Sequence, residues 1–202
     1  MKIICIGRNY AKHIAELENE KPTEPVIFLK PDSAILPKKM PLFIPPWSNG
    51  IHYEVELLVK INRVGKYIEP KFAPKYYQEI GLGIDFTDRE LQSKLKVKGL
   101  PWEKAKAFDG SAAISPFFDK ANYDLSNTNF QLKINDVLVQ DGNTKNMLWK
   151  IDELISHISQ YFTLKKGDII FTGTPAGVGQ VKENDLLTGI LEGKTVFNVK
   201  IK

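Results

Sequence analysis

The sequence has few of the features that mark secreted or membrane proteins. Its single cysteine, Cys5, cannot form a disulfide within the chain and lies in the apolar run Ile3–Ile6. We therefore expect a buried structural thiol in a reducing compartment, and we predict a cytoplasmic location. No apolar stretch approaches the roughly 20 residues that cross a bilayer, and the apolar N-terminal run is far too short for a signal peptide. No membrane partner is predicted.

The sequence also lacks a large excess of positive or negative charge. The 202 residues contain 28 Lys and Arg against 24 Asp and Glu, which gives a formal net charge of +4. The densest basic run, Lys94–Lys98, is typical of a solvated face, and no basic patch is interleaved with aromatic residues, so no nucleic-acid partner is predicted. A content of 43% hydrophobic and 26% charged residues is typical of a soluble globular chain, and the length predicts a single domain over residues 1–202.

Phosphate-binding loops are missing as well, since the sequence contains neither Gly-x-x-x-x-Gly-Lys-Ser/Thr nor Gly-x-Gly-x-x-Gly at the start of a helix. Regularly alternating strands and helices are absent too, which argues against a doubly wound sheet or an eight-fold barrel. The patterns that are present predict an α+β, mostly β fold with a few short peripheral helices.

The individual elements follow from local patterns. Strands are predicted over Ile3–Ile6, Val26–Lys30, Glu54–Ile61 and Gly81–Asp85, with hairpin turns at Asn135-Asp136 and Glu192-Gly193. Helices are predicted over Tyr10–Glu18 with Asn9 as cap, from a capping box at Thr87–Glu90 to about Leu95, and over Ile151–Phe162.

Three carboxylates are candidate metal ligands. Glu54 and Glu56 are two residues apart in a predicted strand, so their side chains share one face, and Asp85 ends another strand. Neighbouring carboxylates repel each other unless a cation lies between them, and oxygen ligands favour Mg²⁺ or Mn²⁺. The alternatives are an acidic solvent face for the two glutamates and a helix-flanking role for the aspartate.

A histidine and a glutamate are candidate catalytic residues. His13 and Glu16 are three apart in a predicted helix, close enough for the carboxylate to fix the imidazole tautomer and raise its basicity. An exposed helix with an incidental pair is the alternative. Of the other histidines, His52 precedes the Glu54 strand and could support the metal ligands, whereas His157 lies within a predicted helix and is expected to be structural.

Two segments favour an anionic ligand. Lys104 and Lys106 would share one side of an extended stretch, and the Gly- and Thr-rich segment Phe171–Gly179 follows a strand. Such a loop can present backbone N–H groups and a hydroxyl to a carboxylate.

Seven segments, taken in order, resemble the fumarylacetoacetate hydrolase family, and the chain is most similar to its short acylpyruvate hydrolase and oxaloacetate decarboxylase members. These segments are Gly7–Glu16, Phe28–Pro31, His52–Glu56, Asp85–Arg89, Gly99–Trp102, Lys106–Phe108 and Thr172–Gly179. Tyr53 and Glu90 depart from residues that are common in relatives, but neither is a candidate ligand.

The resemblance implies a mixed β-sandwich roll and a homodimer. It also implies that Glu54, Glu56 and Asp85 bind Mg²⁺ or Mn²⁺. The catalytic residues would be His13, Glu16 and Lys106, and the residues that hold the anionic 2-oxo acid substrate would be Arg89, Gln92, Lys106 and Thr174.

The expected reaction is metal-dependent cleavage of a C–C bond in an acylpyruvate-type 2-oxo acid, which releases pyruvate through a metal-stabilised enolate. The same site would decarboxylate oxaloacetate. The alternatives are a metal-dependent isomerase or tautomerase of 2-oxo acids and a non-catalytic ligand-binding dimer. The sequence does not identify the acyl group.

Overall fold

The computed structural model of the chain describes residues 1–17 and 20–202. Within these residues, fourteen strands form three sheets, and the four α-helices have 4 to 11 residues. The strands are β1 (Lys2–Gly7), β2 (Val26–Pro31), β3 (Ile51–Tyr53), β4 (Val55–Ile61), β5 (Tyr77–Asp85), β6 (Thr87–Asp88), β7 (Ala112–Ile114), β8 (Phe118–Asp119), β9 (Asn129–Ile134), β10 (Val137–Asn143), β11 (Ile169–Phe171), β12 (Gly179–Gln180), β13 (Leu186–Leu191) and β14 (Lys194–Lys200). The helices are α1 (Ala11–Glu16), α2 (Arg89–Val97), α3 (Glu103–Lys106) and α4 (Ile151–Tyr161). The predicted mostly β fold with a few short helices is confirmed.

The largest sheet carries the centre of the core. Its strand order is β2-β1-β11-β4-β5-β7, with β8 also paired to β5, and only the β1–β11 pair is parallel among the described residues. Strand β4 is almost entirely buried because both of its faces are covered. Leu57 and Val59 belong to the main hydrophobic core, whereas Leu58, on the opposite face, packs in a second cluster with Ile3 and Cys5. The expectation of a buried Cys5 is confirmed.

The second sheet has the order β10-β9-β13-β14 and contains both predicted hairpins. Their two-residue turns place Asn135 and Asp136, and likewise Glu192 and Gly193, at positive φ. This backbone twist suits tight hairpins, and Asn, Asp and Gly tolerate it best. The third sheet is small, with the order β12-β3-β6.

Two predicted helix starts differ from the structure. Helix α1 follows Tyr10, while the Asn9 side chain bonds to the main chain of Trp149 and to the carbonyl of Thr172 at 2.8 Å, so Asn9 tethers a strand end and does not cap the helix. Its predicted end at Glu18 lies outside the described residues. Helix α2 is capped by Asp88, which accepts from the Leu91 N–H at 2.9 Å, whereas the Thr87 hydroxyl oxygen accepts from Lys106 Nζ at 2.6 Å.

The helix at residues 151–161 agrees with the prediction, and its buried face, including Leu154 and Ile155, packs in the main core. No helix in the part of the chain that the structure describes combines the length and the apolar character of a membrane span. The cytoplasmic location stays a prediction.

Candidate active site

The fold brings the three predicted carboxylates together. Glu54 lies at the break between β3 and β4, Glu56 is in β4, and Asp85 ends β5, which pairs antiparallel with β4 so that Glu56 is opposite Gly83. All three side chains are buried, and one carboxylate oxygen from each lies within 4.8 Å of the others. We call Glu54, Glu56 and Asp85 the carboxylate triad. Asp85 is far from Glu54 and Glu56 in the sequence, and the pairing of β5 with β4 brings it next to them.

Two buried lysines and a half-buried arginine contact two members of the triad. Lys106 Nζ donates to Glu54 Oε2 and to Asp85 Oδ2, each at 2.8 Å, and Arg89 also bonds to Glu54. Lys30 Nζ lies 2.7 Å from Asp85 Oδ1. These are the only side-chain cations paired with the triad among residues 1–17 and 20–202.

Glu56 is the carboxylate that these cations leave unpaired. Its Oε2 accepts the Gly173 N–H at 2.6 Å, and no ion pair to it is present among the described residues. Burial raises the pKa of Glu56 well above its ordinary value, and the charges of Asp85 and Glu54 add to this effect. Burial also acts to raise the pKa of Glu54, but the charges of Lys106 and Arg89 outweigh it and lower that pKa.

The triad fits a hard divalent cation. Carboxylate oxygens are the donors that Mg²⁺ and Mn²⁺ prefer, and water or substrate oxygens complete the coordination. The unpaired, buried Glu56 carboxylate is the observation that supports this fit, because a cation beside it would compensate its charge. The assignment of the three residues as metal ligands stays a prediction.

The predicted catalytic pair is also formed. His13 is buried in α1, with Nδ1 3.3 Å from Glu16 Oε2, and Glu16 Oε1 accepts the Gly177 N–H at 2.9 Å. Because a carboxylate accepts, this contact assigns the ring proton to Nδ1 and leaves Nε2 as an acceptor. Burial lowers the pKa of His13, although Glu54 and Glu16 act to raise it. The imidazole is therefore neutral near pH 7 and suited to act as a base.

One small cavity of about 40 Å³ connects these groups. Among its lining residues are nearly all of the predicted site residues, namely His13, Glu54, Glu56, Asp85, Arg89, Gln92, Lys106 and Thr174. Glu16 is not in the lining and contacts the cavity through His13. Arg89 donates to Gln92 Oε1 at 2.9 Å, so the two predicted substrate residues hold each other in place.

The two segments predicted to face an anion each place one residue in the cavity lining, Lys106 and Thr174, but their local structure differs from the prediction. Lys104 and Lys106 do not share a side of an extended stretch, because residues 103–106 form α3, where Lys106 is buried and Lys104 is exposed. The loop after β11 does present N–H groups to carboxylates, but Gly173 and Gly177 donate to the chain's own Glu56 and Glu16. Gly173 has φ +101°, a conformation that favours glycine.

Basic residues outside the prediction also contribute. In the run 94–98, Lys94 and Lys98 are exposed as expected, but Lys96 is half-buried, lines the cavity and lies over the Trp102 ring. Lys30 lies in one of the segments that carry the family resemblance, but the prediction from sequence does not include it as a partner of Asp85. Its position in an otherwise apolar strand is the sequence feature that indicates a buried, paired lysine.

The two remaining histidines lie outside the cavity lining. His52 is half-buried in β3, and burial together with the Arg89 charge lowers its pKa. His157 lies in α4 and packs edge to face against Tyr161, in agreement with a structural role.

Known proteins resemble this chain over nearly its full length. The model of the family "Fumarylacetoacetate (FAA) hydrolase C-terminal" matches residues 2–199. A mitochondrial oxaloacetate tautomerase of Bos taurus is 41% identical over 201 residues, 99% of this chain and 90% of the relative. A mitochondrial oxaloacetate decarboxylase of Dictyostelium discoideum is 43% identical over 188 residues, 92% of this chain and 86% of the relative.

A solved structure shares the fold. The crystal structure of fumarylpyruvate hydrolase from Pseudomonas aeruginosa, in complex with Mn²⁺ and pyruvate, superposes with a TM-score of 0.93 at 31% identity, over 100% of this chain and 89% of that one. The predicted roll is thereby confirmed. With the family model matched almost from end to end and these relatives aligned over nine-tenths or more of its residues, the chain belongs to the fumarylacetoacetate hydrolase family.

Proposed function

We propose that this chain is a divalent-metal-dependent enzyme that converts small 2-oxo acids through their enolates. The observation that carries the proposal is the carboxylate triad, which lines one cavity together with the neutral base His13 and the cation Lys106. Glu54, Glu56 and Asp85 would hold Mg²⁺ or Mn²⁺. The Mn²⁺ and pyruvate named for the fumarylpyruvate hydrolase structure support both the metal and the substrate class.

The favoured reaction is the keto–enol interconversion of oxaloacetate. A cation held by Glu54, Glu56 and Asp85 would stabilise negative charge on the 2-oxo and carboxylate oxygens of the substrate. His13 Nε2 takes a proton from C3, the electron pair of that C–H bond forms the C2–C3 double bond, and the π pair of the C2 carbonyl moves onto its oxygen. Glu16 stabilises the imidazolium that results, and His13 then returns the proton to the C2 oxygen. The tautomerase name of the Bos taurus relative supports this choice.

Hydrolysis of an acylpyruvate is the second candidate, favoured by the orientation of His13. The Gly177–Glu16–His13 chain of contacts holds the imidazole as a base that can also take a proton from water. The resulting hydroxide adds to the distal carbonyl carbon, and the C3–C4 bond then breaks with its electron pair left on the pyruvate fragment. Protonation at C3 by His13 gives pyruvate and a carboxylic acid. Decarboxylation of oxaloacetate also breaks its C3–C4 bond, but no water molecule acts as a nucleophile in that reaction.

Lys106, Arg89, Gln92 and Thr174 would hold the carboxylate end of the substrate, since they line the cavity next to the triad. We also propose that residues 1–202 form one catalytic domain that works as a homodimer. Limited proteolysis that releases a stable internal fragment would contradict the single domain, and a monomeric mass in light scattering would contradict the dimer.

The deciding experiment is a substrate panel with Mg²⁺, Mn²⁺ or excess chelator. Loss of the oxaloacetate enol absorbance without pyruvate release identifies a tautomerase, whereas pyruvate formed from acetylpyruvate or fumarylpyruvate identifies a hydrolase. His13→Ala should depress tautomerisation and hydrolysis much more than decarboxylation. No turnover of any substrate and no binding of Mn²⁺ or oxalate would leave the non-catalytic ligand-binding dimer as the explanation.

A further inference from the structure

Gln140 is a buried side chain that joins separate parts of the candidate site. It lies on β10, in the second sheet, which contains no member of the triad, and it is 1% exposed. Its Oε1 lies 2.9 Å from the Val55 N–H, and its Nε2 lies 2.8 Å from Thr174 Oγ1 and 3.0 Å from the Pro175 carbonyl oxygen. Val55 separates two members of the triad, so one amide braces both the metal ligands and the loop at residues 174–175.

The orientation of this amide follows from its partners. The Val55 N–H can only donate and therefore requires Gln140 Oε1, while the Pro175 carbonyl can only accept and therefore requires Gln140 Nε2. Thr174 Oγ1 lies on the Nε2 side. The Thr174 hydroxyl must consequently accept a hydrogen bond from Gln140.

An accepting hydroxyl keeps its own proton for another partner. Thr174 is buried and lines the cavity beside the triad, and within residues 1–17 and 20–202 its hydroxyl donates to no acceptor. We propose that Gln140 is a positioning residue that makes the Thr174 hydroxyl a hydrogen-bond donor to an anionic oxygen of the substrate. This inference rests on the proposed function, because it assumes an anionic 2-oxo acid in the cavity.

Replacing Gln140 with glutamate should reverse this polarity. When the introduced carboxyl group is ionised it has no proton to donate, so the Thr174 hydroxyl turns to donate to it and presents lone pairs to the substrate. When that carboxyl group is neutral, it has a single proton to donate. The Pro175 carbonyl oxygen is an acceptor only and takes this proton as its hydrogen-bond donor, so Thr174 must again donate to the carboxyl group. In both ionisation states Thr174 stops donating into the cavity.

Oxalate binding to the Mn²⁺-loaded protein tests the proposal without turnover. Gln140→Glu should weaken the oxalate Kd about tenfold or more, the range for a lost hydrogen bond to a charged group, while the Mn²⁺ Kd stays within about threefold. Thr174→Val should weaken oxalate to a similar extent, and Thr174→Ser should bind as the wild type does. Gln160→Glu, the same exchange at an exposed helix position, is the matched control.

A double-mutant cycle separates polarity from general support of the fold. Adding Gln140→Glu to Thr174→Val should weaken oxalate no further, whereas a structural role would give independent losses that multiply. The proposal is overturned if the losses multiply, or if Gln140→Glu or Thr174→Val alone binds oxalate like the wild type. If Gln140→Glu fails to fold, equal oxalate binding by Thr174→Val and Thr174→Ser still overturns the proposal, because the hydroxyl would then donate nothing to the ligand. A wild-type protein that binds neither Mn²⁺ nor oxalate would overturn the proposed function and this inference together.

Discussion

Replacing Glu56 with glutamine should stabilise the metal-free protein at neutral pH. Two members of the triad are paired with Lys30, Lys106 or Arg89, but within the described part of the chain Glu56 has only the Gly173 N–H. Burial, followed by the charges of Asp85 and Glu54, raises its pKa, so the folded protein holds a proton that the unfolded chain releases. Glutamine copies the protonated side chain and keeps an oxygen for Gly173.

The size of the effect follows from that one proton. Below the unfolded pKa of about 4.5, Glu56 is protonated in both states and contributes no pH dependence. Above it, the free energy of unfolding of the wild type falls by about 1.4 kcal/mol per pH unit until the folded pKa is reached. Glutamine does not titrate. The stability of Glu56→Gln relative to the wild type should therefore rise by up to about 2.7 kcal/mol between pH 5.5 and 7.5.

Urea unfolding of the two proteins in EDTA at pH 5.5, 6.5 and 7.5 measures this difference. Glu69→Gln is the matched control, because the Glu69 side chain is exposed and pairs with Lys71 at the surface. A difference that stays flat across the series would mean that Glu56 is ionised without metal, which would refute the reasoning. Saturating Mn²⁺ should shrink this difference at every pH, since about 100 times Kd stabilises the wild type by about 2.7 kcal/mol and the variant lacks one ligand.

Three further variants test other parts of the site. Lys30→Met should lower the free energy of unfolding by about 3–5 kcal/mol, because Asp85 loses one buried partner; a loss below about 1 kcal/mol in urea would contradict this. His13→Ala should reduce tautomerisation about a hundredfold or more at unchanged Mn²⁺ affinity. Because burial lowers the pKa of His13 below its ordinary value of 6.5, the wild-type rate should also be above half-maximal at pH 6.5, and a rate below half-maximal there would contradict this prediction. Gly173→Ala should lower the free energy of unfolding by about 1–3 kcal/mol, measured by thermal unfolding. The reason is that φ at residue 173 is +101° and the added Cβ would lie 2.7 Å from the Asn9 Cβ.

Local patterns were sufficient for most elements of the fold. Apolar alternation and two-residue turn signals predicted the main strands and both hairpins, because these depend on neighbours in sequence. The helix starts were less predictable. Asn9 has the right chemistry for a cap, but its side chain bonds to the main chain of Thr172, 163 residues away, and this contact prevails over the local preference.

The sequence by itself determined the family and the candidate residues, because motif order and residue chemistry are properties of the chain. It also determined the His13–Glu16 pair, which needs only one helical turn. Only the tertiary structure decided which side chains meet. Pairing of β4 with β5 assembles the triad, and the Gln140–Val55 bond spans 85 residues. Such contacts depend on strand order and burial, which local spacing does not encode, and they make Lys106 a partner of the triad while Lys104 stays in solvent.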